Sequence, residues 1–291
     1  MRTRYLSCGA IALMSSLSLQ AAEPPMAERE QLNAVVWYQA AAESQANGEQ
    51  TYRAATDQLA RLKRNKAITA LPEQLTVAGY KRLPPAVILD IDETVLDNSP
   101  YNAWQVASGL PYSEPSWDAW VAERKATAVP GAKAFISAAR RMGFKVLYVT
   151  NRNCEKQGGY DAQGWAKNCP QLQATLANLE AELGYRPDYA DMLLKYQRAE
   201  WDGKGVRRQL LANRYRIAML VGDDLNDFVD RNTYQPEQHA ANWGRSWFVL
   251  SNPMYGSSLR ALGNNLSKRY GSLKPWQWAP AKVAEPAVVN P

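Results

Sequence analysis

Apolar runs that each stop at a polar cluster recur along the chain, and stretches of helical periodicity separate them. The first, Ala86–Leu89, ends abruptly at Asp90 and follows the break made by Pro84 and Pro85. "FKVLYVT", "RIAMLVG" and "SWFVL" repeat the pattern, and "DMLLK" is a shorter strand candidate. Between them, "GAKAFISAARRMG" reads as an amphipathic helix stopped by Gly143; "QLQATLANLEAELG" and "GVRRQLLANR" read as two more. Ahead of the first strand, Met26 to Lys66 is helix-forming and interrupted only at Gly48, which predicts two helices there. Leu32, Val35, Val36 and Ala40 make a loose stripe with Gln39 beside it, and Leu59 and Leu62 continue one further on. A Trp- and Pro-rich stretch, Tyr101 to Pro130, carries Trp104, Trp117 and Trp120.

Strand alternating with helix is the pattern of a parallel α/β sheet of Rossmann-like type. The predicted organisation is an N-terminal helical segment over 22–84 that builds most of a helical subdomain. An α/β core follows over 85–278, with 101–130 inserted, and then a tail over 279–291 rich in Ala, Pro and Val. In such sheets ligands bind beyond the carboxyl ends of the strands. Here those ends read DIDET, TNR, GDDLND and SNPMY, so the polar clusters converge on one edge.

Composition adds a compartment. Arg2 and Arg4 precede an uncharged stretch, Tyr5 to Leu19, of the length of a secretory signal, with cleavage expected after Ala21. Cys8 lies inside that stretch rather than after it, so lipid attachment there is not expected. Cys154 and Cys169 then remain, and in an oxidising compartment they are a disulfide candidate. A secreted or periplasmic location follows, with no transmembrane segment after signal removal. The charge of +6 suits anionic small molecules and is no footprint for a nucleic-acid polymer.

The carboxylates at the strand ends carry the chemistry. A lone Asp-x-Asp is as often a loop former or helix cap. Two acidic clusters at the ends of two buried strands are harder to explain that way, because converging carboxylates repel and raise one another's pKa. A hard cation holds them ionised together, and Mg²⁺ suits oxygen ligands with room for water and a phosphate. His239 is the only histidine, in an ordinary polar stretch, and is expected at the surface; a multi-histidine zinc site is excluded. Neither a Gly-rich phosphate loop nor a G-x-S-x-G elbow occurs.

"ILDIDETVLDN" resembles the first motif of the haloacid dehalogenase (HAD) superfamily, "YVTNR" its second and "VGDDLNDF" its fourth. "DNSPYNAWQ", "WDAWV", "AVPGA", "NPMYG" and "QLNAVVWYQAAAE" are similar to the class C acid phosphatases, secreted or lipid-anchored bacterial enzymes of the lipoprotein e type. The resemblance implies phosphomonoester hydrolysis with Asp90 as nucleophile and Asp92 as general acid and base. It implies one Mg²⁺ on Asp90, the main-chain carbonyl of Asp92, and Asp223. Thr150 and Asn151 would meet the phosphoryl group. The phosphate lysine is expected to be Lys204, with Lys195 as the alternative. Asp224 and Asp227 are second-layer or alternative metal residues: Asp224 is open between ligand, second layer and helix cap, and Asp227 is expected to bind through water or to orient Lys204.

Ten tryptophans are more than one site needs, and Trp37, Trp165 and Trp243 are expected in packing. Trp117 and Tyr255 match the family positions that sandwich an aromatic leaving group, which implies nucleoside 5′-monophosphates as substrates and 5′-nucleotidase activity. Family members also suggest a homodimer. Two alternatives remain: a phosphotransferase using the same aspartyl-phosphate, and a nucleotide-binding protein without turnover. A metal-dependent glycosyltransferase using Asp-Ile-Asp would explain neither Thr94 nor the GDDLND cluster.

Overall fold

The computed structural model describes residues 26–262 and 266–274. The expected signal over 1–21, Cys8 and the tail over 279–291 lie outside the described residues. Two helices open the chain, α1 (Met26–Ala40) and α2 (Ala42–Arg64), and β1 (Pro85–Leu89) follows. Next come β2 (Leu96–Asp97), α3 (Ser99–Ser108), α4 (Glu114–Glu123) and β3 (Thr127–Ala128). The core continues through α5 (Ala132–Arg141), β4 (Lys145–Asn153), α6 (Pro170–Leu183), β5 (Met192–Lys195), α7 (Lys204–Ala212) and β6 (Arg216–Gly222). It closes with α8 (Pro236–His239), β7 (Trp247–Val249), α9 (Ser257–Leu262) and α10 (Leu266–Gly271).

The strands pair in parallel in the order β5-β4-β1-β6-β7. Chain order reverses at β1, so the crevice beyond its carboxyl end is the switch point where α/β proteins bind ligands. Both faces of the sheet are covered, because side chains of period two leave each strand alternately. Val87, Leu89, Val146, Tyr148 and Met192 meet α2, α5 and α6 through Tyr52, Leu59, Phe135, Ile136 and Leu176. Ile88, Leu147, Val149, Leu193 and Trp247 meet Leu211 of α7, Trp201 and Phe228 on the other face. The register of β1 against β6 steps from Ala86–Ile217 to Val87–Met219 and skips Ala218, a bulge near the amino ends of both strands.

Three expectations are corrected. The break between the first helices falls at Ala41, which is extended (φ −79°, ψ 130°), and Gly48 lies buried inside α2. Gly48 is there for space: a Cβ would stand 2.9 Å from the Pro130 carbonyl oxygen. The apolar stripe of α1 is the outer face, since Leu32, Val36 and Ala40 are exposed and only Val35 is buried. Polar contacts dock α1 on α3 instead, with Gln31 Nε2 donating to Asn102 Oδ1 (3.2 Å) and Gln39 Nε2 to Ser99 Oγ (3.1 Å). His239 is buried rather than superficial, stacked at 5.2 Å on Trp247 and at 5.4 Å on Tyr234.

Of the tryptophans assigned to packing, Trp165 is exposed and leans edge-on against Trp201 at 5.7 Å. Trp37 and Trp243 are partly buried, the latter against the Trp247 cluster.

Gly→Ala inside a helix ordinarily stabilises by about 1 kcal/mol. At Gly48 the clash reverses the sign: Gly48→Ala is expected to lower unfolding free energy by about 1–3 kcal/mol in urea titration. A stabilised variant would contradict this packing.

Candidate active site

β1 delivers Asp90 one residue past its last residue, Leu89, and β6 delivers Asp223 one past Gly222. Asp90 N donates to Val221 O (3.1 Å), so the neighbouring strands hold the two carboxylates side by side. Lys204, the first residue of α7, is buried with its ammonium 2.7 Å from Asp90 Oδ1 and 2.5 Å from Asp227 Oδ1. Its aligned hydrogen bond goes to Asp227; Asp90 Oδ1 is buried with that ionic contact and no aligned donor. Asp227 Oδ2 accepts from the main-chain N–H groups of Asp223 (3.1 Å) and Asp224 (2.9 Å), folding back under Gly222. A Cβ on residue 222 would lie 2.2 Å from that oxygen, so only glycine fits.

Asp223 accepts from Thr94 Oγ1 at 3.0 Å and Asn252 Nδ2 at 2.9 Å. Oxygens of Asp90, Asp223 and Asp227 converge within 4.8 Å of one another. Burial, only partly offset by Lys204, pushes the Asp90 carboxyl well above its usual range. Burial and then the Asp227 charge push Asp223 up to about 7, against the opposing hydrogen bonds from Asn252 and Thr94 and the charge of Lys204. The all-oxygen donor set and the unaligned buried oxygen of Asp90 fit a hard divalent cation. Glu93, in the left-handed region (φ 56°), is also buried; Oε1 accepts from Asn98 N (2.7 Å) and Oε2 has no partner. Burial raises its pKa well above the usual range, so it fits the interior as a neutral acid.

Asp92 faces another way. Its Oδ1 accepts from Arg152 Nε (2.9 Å) and Asn98 Nδ2 (2.9 Å), with Arg152 Nη2 at 2.8 Å. Thr150 is buried at the end of β4; its hydroxyl accepts from Arg152 N (3.0 Å) and lies 3.5 Å from Asp92 Oδ2. Asn151 is exposed, with its Oδ1 3.3 Å from Arg207 Nη2. The structure therefore gathers Asp90, Asp92, Thr150, Asn151, Lys204, Asp223 and Asp227 at one edge. Lys195 is outside, paired with Asp202 at the surface (3.0 Å). Asp224 turns away: it caps the following turn through Asn226 N (2.9 Å) and accepts from Ser257 N and from Arg260 Nη2 (3.1 Å). The helix-cap reading is the one its contacts fit.

Trp117 on α4 is partly buried, 5.1 Å from the Tyr101 ring and 5.7 Å from the Arg152 guanidinium. Tyr255 sits in the turn after β7, where its N–H lies 3.4 Å from Oδ1 of the same Asn252 that donates to Asp223. Cys154 and Cys169 form a disulfide between the end of β4 and the start of α6. Beside it, Gln171 accepts from Asn153 N (3.0 Å) and donates to Asp118 Oδ1 (2.6 Å) of α4.

Sequence reasoning gave no role to Arg152, Asn98, Arg207 or Asn252. For Arg152 a signal exists: it is two residues beyond Thr150 on the same strand and so shares its face. Arg207 could be suspected only from the structure, which buries it with donors on the Thr150 carbonyl and on Leu193 O (3.0 Å).

Residues 6–258 match the family described as HAD superfamily, subfamily IIIB (acid phosphatase). The fold is similar to that of the class C acid phosphatase from Bacillus anthracis, with a TM-score of 0.68 and 29% identity, covering 86% of this chain and 99% of that one. A second structure of that enzyme, with tungstate bound, gives 0.67 and 29% over 87% and 99%. The Stem 31 kDa glycoprotein of Glycine max is 26% identical over 173 residues; the match spans 58% of this chain and 58% of the soybean protein's length.

The carboxylate shifts make a stability prediction for the metal-free protein. Asp90 and Asp223 titrate higher folded than unfolded, so the folded state binds more protons between about pH 4 and pH 7. Stability is present below that window and is lost as pH rises through it. The melting temperature of chelator-treated protein is expected to fall between about pH 5 and about pH 7.5. Added Mg²⁺ is expected to raise it more at the higher pH. A melting temperature that rises with pH in this window would contradict the shared-carboxylate picture.

Proposed function

The chain belongs to the HAD superfamily, subfamily IIIB (acid phosphatase); on that premise we propose that it is a phosphomonoesterase that works through an aspartyl-phosphate on Asp90. The observation that supports this reading best is the pairing of Asp90 with buried Lys204 beside a differently held Asp92. An Asp90 oxygen attacks phosphorus in line, and the bond from phosphorus to the ester oxygen breaks. The departing alkoxide takes the proton of the Asp92 carboxyl. Asp92 then accepts a proton from water, whose oxygen bonds phosphorus as the Asp90–phosphorus bond breaks, releasing inorganic phosphate.

Lys204 supplies positive charge next to the nucleophile, and Asp227 holds it there. The Thr150 hydroxyl and Asn151, in the carboxyl-terminal half of β4, are proposed to donate to phosphoryl oxygens. Metal dependence is the family's habit, and the proposed ion is Mg²⁺, held by Asp90, Asp223 and the Asp92 main-chain carbonyl. It would neutralise charge on the phosphoryl oxygens, so that an anionic nucleophile can approach an anionic ester. Tungstate, bound in the Bacillus anthracis structure, is a tetrahedral oxyanion like phosphate, which agrees with an oxyanion site on this fold.

The proposed substrates are nucleoside 5′-monophosphates, because Trp117 presents an aromatic ring within one guanidinium of Asp92. Tyr255 is proposed as the second stacking ring. The proposed location is outside the cytoplasm, where the Cys154–Cys169 bond is stable. No helix among the described residues is long and apolar enough to cross a membrane. A homodimer is proposed on the family's example alone.

Hydrolysis of p-nitrophenyl phosphate and AMP tests the reading. Activity with Mg²⁺ is expected to vanish in EDTA and to fall at least about a thousandfold in Asp90→Asn. Turnover surviving Asp90→Asn would identify another nucleophile. Trp117→Ala is expected to raise KM for AMP by roughly 5–100-fold, the worth of one stacked base, with little change for a small alkyl phosphate. Equal effects on both would remove the stacking role.

A further inference from the structure

Arg152 is the least explained charge near the site. It is 2% exposed, belongs to none of the converging carboxylates, and every nitrogen of its guanidinium has a named partner. Nε and Nη2 meet on Asp92 Oδ1 at 2.9 and 2.8 Å, Nη2 also reaches Asn98 Oδ1 at 3.1 Å, and Nη1 donates to Thr175 Oγ1 at 2.9 Å. Thr175 is itself fixed by donating to the Gln171 carbonyl at 2.6 Å. Asn98 is fixed from α4 by Trp120 Nε1, which donates to its Oδ1 at 2.9 Å, and its own Nδ2 donates to the same Asp92 Oδ1.

An arginine and a carboxylate usually pair with two nitrogens on two oxygens. Here the two guanidinium nitrogens and one amide nitrogen crowd onto a single oxygen. Oδ1 is saturated with donors and is a pure acceptor. Oδ2 has only the long 3.5 Å approach of Thr150 Oγ1.

We propose that Arg152 is a positioning residue for the acid step: by gripping Oδ1 of Asp92 alone, it leaves Oδ2 as the oxygen that gives its proton to the leaving group. The inference rests on Asp92 being the general acid. It assigns a task to the face shared by residues 150 and 152 of β4. It also links α4 to the chemistry, since Trp120 reaches the acid through Asn98.

The test separates a positioned acid from general structural support through the leaving group. An ester whose alcohol is a good leaving group needs little protonation, whereas an alkyl ester depends on it. Values of kcat/KM, which report phosphoryl transfer to the enzyme and not its later hydrolysis, are measured for p-nitrophenyl, phenyl and ethyl phosphate. The proteins compared are wild type, Asp92→Asn, Arg152→Met and Thr175→Val. Asp92→Asn is expected to lose about 100-fold or more on ethyl phosphate and far less on p-nitrophenyl phosphate. Arg152→Met is expected to show the same selectivity at about 10–100-fold. Thr175→Val, which removes only the Nη1 anchor, is expected to show it at about 3–10-fold.

If Asp92→Asn is selective while Arg152→Met and Thr175→Val lower all three esters equally, the positioning role is overturned and the acid stands. If Asp92→Asn loses equally on all three, the general-acid reading fails and takes this inference with it. Should Arg152→Met not fold, Thr175→Val decides: selectivity supports the role and its absence overturns it.

Discussion

Three carboxylates and one ammonium share a small volume at the carboxyl ends of two adjacent strands, and much of the surrounding structure exists to hold them there. Asp90 and Asp223 repel, yet β1 and β6 are paired immediately before them and cannot separate without breaking the centre of the sheet. Lys204 offsets one charge, and Asp227 is spent on Lys204 and on two main-chain N–H groups. The remaining negative charge is the physical reason for expecting a cation there; burial first, and then the Asp227 charge, raise the pKa of Asp223. Gly222 shows how tight the arrangement is, because one methyl group would displace the Asp227 carboxylate.

Around this centre the fold divides its labour. The sheet sets the spacing of Asp90, Thr150 and Asp223. Helix α2 is part of the core rather than an accessory: its Tyr52 is buried with the hydroxyl donating to the Thr94 carbonyl, and Thr94 in turn donates to Asp223. Helix α4 and the residue before α3 act on the other carboxylate through Trp120 and Asn98. The proposed nucleophile and the proposed acid thus have separate supports, one from the sheet and α7, the other from α4 and Arg152. That separation suits the proposed division of roles, in which one aspartate attacks ionised and its neighbour carries the proton.

Most of the architecture was legible in the sequence. Strands buried on both faces read as continuous apolar runs, and the polar clusters that ended them marked the functional edge. The N-terminal helices were less legible, because helical periodicity shows which residues share a face but not whether that face is turned inward. Leu32 and Val36 share a face, yet Gln31 and Gln39 supply the contacts to α3. Gly48 looked like a helix breaker and is a packing residue. His239 looked polar because its neighbours in sequence are, while its neighbours in space are Tyr234 and Trp247. Asp224 was left open between ligand, second layer and helix cap, and only the turn that makes it a cap, while folding Asp227 onto Lys204, assigns it.

The central claim is that Asp90 carries the phosphoryl group. The most direct measurement is rapid acid quenching of enzyme mixed with ³²P-labelled p-nitrophenyl phosphate, followed by proteolysis and mass analysis of the labelled peptide. The account predicts an acid-stable, base-labile phosphate on Asp90 that forms and decays at rates compatible with turnover. A label on any other residue, or turnover in which no phosphoenzyme forms at any time, would contradict it.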